Sequence, residues 1–134
     1  MNAIEVENLS RTFNDLKAVD NISFSVQAGE IFGFLGHNGA GKTTTIRMLS
    51  GQLLPTSGRG QVAGCDMVSE QKRLKPLIGV VSEHQNLYER MSGRENLEFA
   101  ARLYGQTNRR VDEALEQVGL VERQKIRFGI IRMV

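Results

Sequence analysis

One cysteine, Cys65, among 134 residues leaves no partner for an internal disulfide and no set of thiolates for a zinc site. Long apolar runs are missing too. The longest cover only a few residues, far short of the ~20 that a membrane-spanning helix needs. Residues Met1 to Ser10 carry Glu5 and Glu7 and no apolar h-region, so no secretory signal is expected there. An excess of one charge is also lacking. Lys and Arg number 17 against 15 Asp and Glu, a net +2, which argues against a dedicated nucleic-acid binder. There is no repeat, low-complexity run or Pro/Gly/Ser linker. What is present is 40% hydrophobic and 24% charged, enough to build a core, and the default expectation is a cytoplasmic domain. Two features are unevenly placed. Eight of the 14 glycines fall between Gly29 and Gly60, and residues 123–134 hold four basic residues and no acid.

The hydrophobic pattern predicts strands first. Ala3 to Leu9 is β-compatible, and Ile22, Phe24 and Val26 alternate with polar residues as in a half-buried strand. Ala28-Gly29-Glu30 is a turn. Ile31 to Leu35 is continuously apolar, as expected of a central strand covered on both faces. Lys42 to Ser50 reads as a helix closed by Gly51. Pro55 to Gly58 is a turn, Gly60 to Ala63 a short strand, and Ser69 to Lys75 a short helix stopped before Pro76. Ile78 to Val81 is a second buried strand. Ser92-Gly93-Arg94-Glu95 has capping-box spacing. Behind it, Leu97, Ala100, Ala101 and Tyr104 share a helix face, and Val111, Ala114, Leu115 and Val118 repeat the spacing. Cys65 is expected to be a small buried residue without chemistry.

Gly36-His37-Asn38-Gly39-Ala40-Gly41-Lys42-Thr43 matches G-x-x-x-x-G-K-[ST] in full. At average residue usage such a match occurs by chance roughly once in 30,000 positions. The chemistry needs these types. Glycines allow φ > 0 and close backbone approach, so successive N–H groups cradle phosphate at a helix N-terminus. Lys42 supplies charge to the β- and γ-phosphates, Thr43 a hydroxyl to Mg²⁺, and Thr44 a hydrogen bond to the α-phosphate. His37 stands at a variable position and reads as spacing.

The surroundings narrow the class. From Ile4-Glu5-Val6-Glu7-Asn8-Leu9, through Ala18 to Val26 and Gly29 to Thr44, the chain resembles the ATP-binding subunit of an ABC transporter. Leu49-Ser50-Gly51, Pro55-Thr56-Ser57-Gly58, Gly64, Ile78-Gly79-Val80-Val81 and Arg94-Glu95-Asn96-Leu97 continue the likeness to about residue 122. Its flavour is similar to subunits serving ABC-2, drug-exporter permeases. The resemblance implies an α/β fold: a P-loop NTPase core, a small antiparallel β region and the start of a helical subdomain from about residue 92. It implies ATP and Mg²⁺ as ligands, held by Asn38, Gly39, Ala40, Gly41, Lys42, Thr43 and Thr44. Phe13 takes the place of the aromatic that stacks on adenine, with Ala18 and Val19 lining the slot. Glu83 takes the Q-loop position within 82–86, where the family usually has Gln, and would share Mg²⁺ with Thr43 and act with Lys42 in catalysis. His84 and Gln85 are weaker polar candidates. The implied partners are a membrane permease, which Tyr88, Arg90 and Arg94 could touch, and a second ATP-binding subunit, with no nucleic acid. The implied location is the inner face of the cell membrane.

Beyond Val118-Gly119-Leu120 the family's signature is expected, yet these residues hold no Ser-Gly-Gly and no acid after Glu122. The expectation is therefore the N-terminal portion of an ABC ATPase domain over 1–122, with a divergent basic tail over 123–134 that marks a truncation. Such a chain would bind ATP without turning it over alone, because phosphoryl transfer needs charge stabilisation and a positioned nucleophile. Two readings stand beside it: a non-catalytic nucleotide-binding or decoy module, and a compact P-loop kinase or GTPase.

Overall fold

A computed structural model describes residues 1–81 and 87–127; the Q-loop region 82–86, with Glu83, His84 and Gln85, lies outside the described residues. The chain divides into two units, Met1–Val80 and Val81–Val134. In the first, strands β1 (Asn2–Phe13), β2 (Leu16–Gln27), β3 (Ser57–Val62) and β4 (Cys65–Asp66) form one sheet in the order β2-β1-β3-β4. Every pairing is antiparallel.

Both long strands carry a bulge that the alternation rule does not foresee. Val6 and Leu9 are both buried although three residues apart, which plain alternation would place on opposite faces. Asn8, at φ +48, absorbs the extra residue, and the register shifts between Val6 and Leu9. Asn21, at φ +50, does the same between Val19 and Ile22 on β2. Asn is the non-glycine residue that best tolerates this left-handed conformation. The β3–β4 turn uses Ala63 and Gly64, both at positive φ, as a two-residue hairpin turn requires.

Helix α1 (Lys42–Leu49) packs Met48 and Thr45 inward. Met48 joins Val6, Leu9, Val19, Val62, Cys65, Met67 and Leu74 in one core. Full burial of such side chains is worth about 1.5–3 kcal/mol each. Cys65 is 1% exposed, a core residue as expected. Gly51, at φ +68, ends α1: its N–H donates to the Met48 carbonyl (3.0 Å) and that of Gln52 to Arg47 (2.9 Å). This is the Schellman arrangement that glycine makes inexpensive.

Four expectations are corrected. Ile31 to Leu35 forms no ladder, and Ile31 and Leu35 are 99% and 93% exposed. Only one side is covered, by Phe32 and Phe34 against Phe24, at ring separations of 5.5 and 5.6 Å. Ile78 to Val81 is likewise unpaired, with Val81 fully exposed. The reason is shared: a core strand exists only beside a hydrogen-bonded neighbour, and none flanks these segments among the described residues. The turn expected at Pro55–Gly58 gives way to β3 from Ser57. The helix expected over Ser69–Lys75 shortens to α2 (Gln71–Leu74). Pro76 then lies inside a 3₁₀ turn, Lys75–Leu77, near the start of which its missing N–H costs nothing.

Asp66 organises the approach to α2. Its carboxylate accepts from the Ser69 N–H (2.8 Å), the Ser69 hydroxyl (2.8 Å) and the Val68 N–H (3.0 Å). The Ser69 backbone bond, then its hydroxyl, hold the Asp66 pKa below the usual carboxylate range against the opposing effect of burial. A lowered folded pKa means that the stabilisation is present above the unfolded value and is lost as pH falls through the folded one. Asp66→Ala is therefore expected to destabilise the first unit by about 1 kcal/mol near neutral pH. In urea titrations the difference from wild type should shrink below about pH 4 and vanish in stronger acid.

In the second unit, helix α3 (Gly93–Leu103) opens with the capping box read from the sequence. The Glu95 N–H donates to Ser92 Oγ (3.2 Å), and the Ser92 N–H donates to Glu95 Oε2 (2.7 Å). Helix α4 (Asn108–Gln117) follows a short loop, and Val111 and Leu115 are buried on its inner face. Gly105 and Gly119 end the two helices in the same Schellman manner as Gly51. Arg94 pairs with Glu98 on its own helix (2.9 Å) and reaches Asp112 of α4 (2.8 Å), which ties the two helices together. The described part of the basic tail is packed rather than loose: the carbonyls of Gln124 and Ile126 accept from the Arg94 and Gly93 N–H groups.

Candidate phosphate-binding site

The phosphate loop follows from its glycines. Gly39 and Gly41 adopt φ +88 and +86, and Gly41 is the N-cap of α1. Gly36 differs from expectation: its φ is not positive, and a Cβ there would sit 3.0 Å from the Ala40 Cβ, so it is small for space. The first intrahelical bond runs from the Thr45 N–H to the Gly41 carbonyl. The N–H groups of Lys42, Thr43 and Thr44 thus precede any acceptor within the helix. No acidic residue occupies the first turn, so the helix's own side chains do not neutralise the positive end of its dipole. Lys42 folds back over the loop, its Nζ donating to the carbonyls of Gly36 and His37, the latter at 2.8 Å. Thr43 is exposed and Thr44 half-buried. The His37 ring Nδ1 engages the neighbouring Asn38 carbonyl (2.8 Å).

The other residues named from sequence fall in different places. Ala18 and Val19 lie against the loop at Gly41, where a Cβ would come within 2.2 Å of the Ala18 carbonyl oxygen and 3.1 Å of Val19 Cγ2. The Val19 side chain itself is buried in the core. Phe13 closes the β1–β2 hairpin opposite Leu16 and is 40% exposed. Glu83 lies outside the described residues. Tyr88 packs edge-on against Phe99, with ring centres 5.1 Å apart, while Arg90 is exposed.

Sequence reasoning missed Arg11. Its guanidinium carbon sits 4.5 Å from the centre of the Phe13 ring, and its Nη1 donates to the Leu54 carbonyl (2.9 Å). The signal was available: residues two apart on a strand share a face.

These features form a glycine-rich loop at the head of a helix, and comparison with known proteins gives the class. Residues 19–130 match the ABC transporter family model, reaching past Glu122 into the basic tail. The chain belongs to the ABC transporter family, and what it matches there is the ATP-binding component. It is 40% identical over 127 residues to the bacitracin transport ATP-binding protein BcrA of Bacillus licheniformis, covering 94% of this chain and 42% of that one. The linearmycin resistance ATP-binding protein LnrL of Bacillus subtilis is 41% identical, over 91% of this chain and 40% of its own. The methionine import ATP-binding protein MetN of Geobacillus kaustophilus is 42% identical, over 86% and 39%. The chain thus spans about two fifths of these relatives. A solved ATP-binding subunit of an ABC transporter superposes at TM-score 0.80 and 28% identity, over 92% of this chain and 53% of that one. The fold is accordingly α/β of the P-loop NTPase type: the antiparallel β region, the phosphate-loop helix and the start of a helical subdomain.

Proposed function

We propose that this chain binds Mg·ATP at the loop 36–44 as the nucleotide-holding part of an ABC transporter's ATP-binding component. The observation that carries the reading is the head of α1: two left-handed glycines, first-turn N–H groups with no acceptor among the described residues, no acid in that turn, and Lys42 folded over the loop. Asn38, Gly39, Ala40 and Gly41 line the phosphates with backbone. Lys42 leaves the carbonyls of Gly36 and His37 to meet the β- and γ-phosphates, and Thr44 reaches the α-phosphate. Phe13 stacks on the base, beside Ala18 and Val19.

When bound with the nucleotide, Mg²⁺ would supply positive charge against the phosphates, and the Thr43 hydroxyl and Glu83 would hold it. No cluster of three or more His, Cys, Asp or Glu is found among the described residues. The exposed Thr43 hydroxyl in the first turn of α1 fits an ion carried largely by the nucleotide. The component would couple ATP to export through a membrane permease and a second ATP-binding subunit, peripheral to the cytoplasmic membrane face. No helix among the described residues is long and apolar enough to cross a membrane itself. Within these 134 residues there is no Ser-Gly-Gly, and the one Asp-Glu pair, Asp112-Glu113, lies in α4 rather than at the end of an apolar strand, so ATP binding without turnover is expected.

Calorimetric titration with Mg·ATP tests this. Wild type is expected to bind, and Lys42→Ala to bind at least roughly tenfold more weakly, as loss of a charge-assisted contact predicts. Both should hydrolyse ATP at background rate. Equal affinity in the two proteins would refute the site, and Lys42-dependent hydrolysis would refute the absence of turnover.

A further inference from the structure

The geometry points to Arg11 as a positioning residue for the base-stacking aromatic: it clamps one face of Phe13 and ties the ring to the loop that leaves the phosphate-binding helix. The inference rests on the reading above, in which Phe13 stacks on the base of ATP. Three observations carry it. First, the guanidinium lies 4.5 Å from the ring centre, well inside cation–π range. A cation on one face draws π density toward itself and leaves the opposite face to a flat partner. With a base bound, the order would be guanidinium, ring, purine.

Second, Arg11 is one of several stitches between the end of β1 and the segment that follows α1. Its Nη1 donates to the Leu54 carbonyl (2.9 Å). The Thr12 N–H donates to Thr56 Oγ1 (3.0 Å), and the Thr56 N–H to the Ser10 carbonyl (2.9 Å). That segment is anchored in turn, because the N–H groups of Gln52 and Leu53 both donate to the Arg47 carbonyl of α1 (2.9 and 3.1 Å). Continuous hydrogen bonding therefore runs from the helix that would hold the phosphates to the ring that would hold the base. The distance between those two subsites is set by this path.

Third, Arg11 Nε is buried without a hydrogen-bond partner among the described residues. Desolvating an N–H with no acceptor is unfavourable, and an aliphatic side chain would pack here without that cost. The guanidinium must bring something that packing alone does not. Its place over Phe13 supplies the reason.

The test measures affinity of the full chain for Mg·ATP and for inorganic tripolyphosphate, which lacks a base. Wild type, Phe13→Ala, Arg11→Gln and Arg11→Lys are compared. Wild type should prefer ATP, and Phe13→Ala should lose that preference. Arg11→Gln should weaken ATP binding about three- to tenfold and leave tripolyphosphate binding unchanged. Arg11→Lys, which keeps the cation, should recover part of the loss. If Arg11→Gln binds ATP as wild type does while Phe13→Ala loses the preference, the role of Arg11 is overturned and the nucleotide site stands. If Arg11→Gln loses both ligands equally, the role is also overturned, since the residue then supports the fold as a whole. A wild type with no preference for ATP overturns this inference together with base stacking by Phe13.

Discussion

Gly41→Ala is expected to abolish nucleotide binding and to destabilise the first unit by roughly 3 kcal/mol or more. Two independent costs meet at this residue. Its φ of +86 is strained for any residue with a Cβ, at roughly 1–2 kcal/mol. The added methyl would also lie 2.2 Å from the Ala18 carbonyl oxygen. That oxygen belongs to backbone of β2 and has no rotamer with which to move aside. Shifting it would drag Val19, which is buried in the core and would itself stand 3.1 Å from the new methyl. The loop must yield instead, and it is the loop that aims the first N–H groups of α1. Gly39→Ala separates the two costs: its φ is +88, but nothing lies within 4 Å of a Cβ there. It should cost only about 1 kcal/mol and weaken binding without abolishing it. Urea unfolding and ATP titration of both variants make the comparison. A Gly41→Ala protein with wild-type affinity would show that the close approach to Ala18 does not shape the site.

The same contact shows what was legible beforehand and what was not. The phosphate loop, the helix after it and the capping box at Ser92 depend on residues near one another in sequence and could be read there, while the burial of Cys65 followed only from its residue type. The need for a glycine at position 41 was legible as a motif, but its second reason, the carbonyl of Ala18, is 23 positions away and is not. Ile31 to Leu35 fails for the complementary cause. Composition can propose a strand, but hydrogen-bonded neighbours make one, and among the described residues this segment has no paired strand, although Phe32 and Phe34 meet the ring of Phe24. The bulges at Asn8 and Asn21 lie between these cases. Asn is a permissible signal for a left-handed residue, yet only the pairing of Leu9 with Ile22 reveals why one is needed. Arg11 was accessible by simple alternation with Phe13, but its tie to Leu54 was not.

Asn96 carries the second large effect, and sequence alone offered it only as part of Arg94-Glu95-Asn96-Leu97. It is buried, and all of its side-chain polar capacity is engaged. Oδ1 accepts from the Tyr88 N–H (2.8 Å), while Nδ2 faces the carbonyls of Tyr88 (3.1 Å), Ser92 (3.0 Å) and Met91 (3.4 Å). One amide thereby fixes the chain that enters α3. Tyr88 is held so that its ring meets Phe99 edge-on, and the turn through Met91 delivers Ser92 to its capping position. Asn96→Ala would take the partner from the Tyr88 N–H and the Met91 carbonyl and leave the Tyr88 and Ser92 carbonyls only the backbone N–H groups of Met91 and Asn96, a cost of about 1–3 kcal/mol. Asn96→Asp retains the acceptor for Tyr88 but points a carboxylate at three carbonyl oxygens, so it should fare no better at neutral pH. Hydrogen exchange gives the decisive readout. Amides from Tyr88 to Glu95 are expected to lose protection in both variants, and the amides of β1 and α1 in the first unit to keep theirs. Unchanged exchange at Tyr88 and Ser92 would show that the capping box holds this entry without Asn96. Because Ser92 and Glu95 satisfy only each other's backbone N–H groups, the Tyr88 N–H and the Met91 carbonyl would then need partners elsewhere.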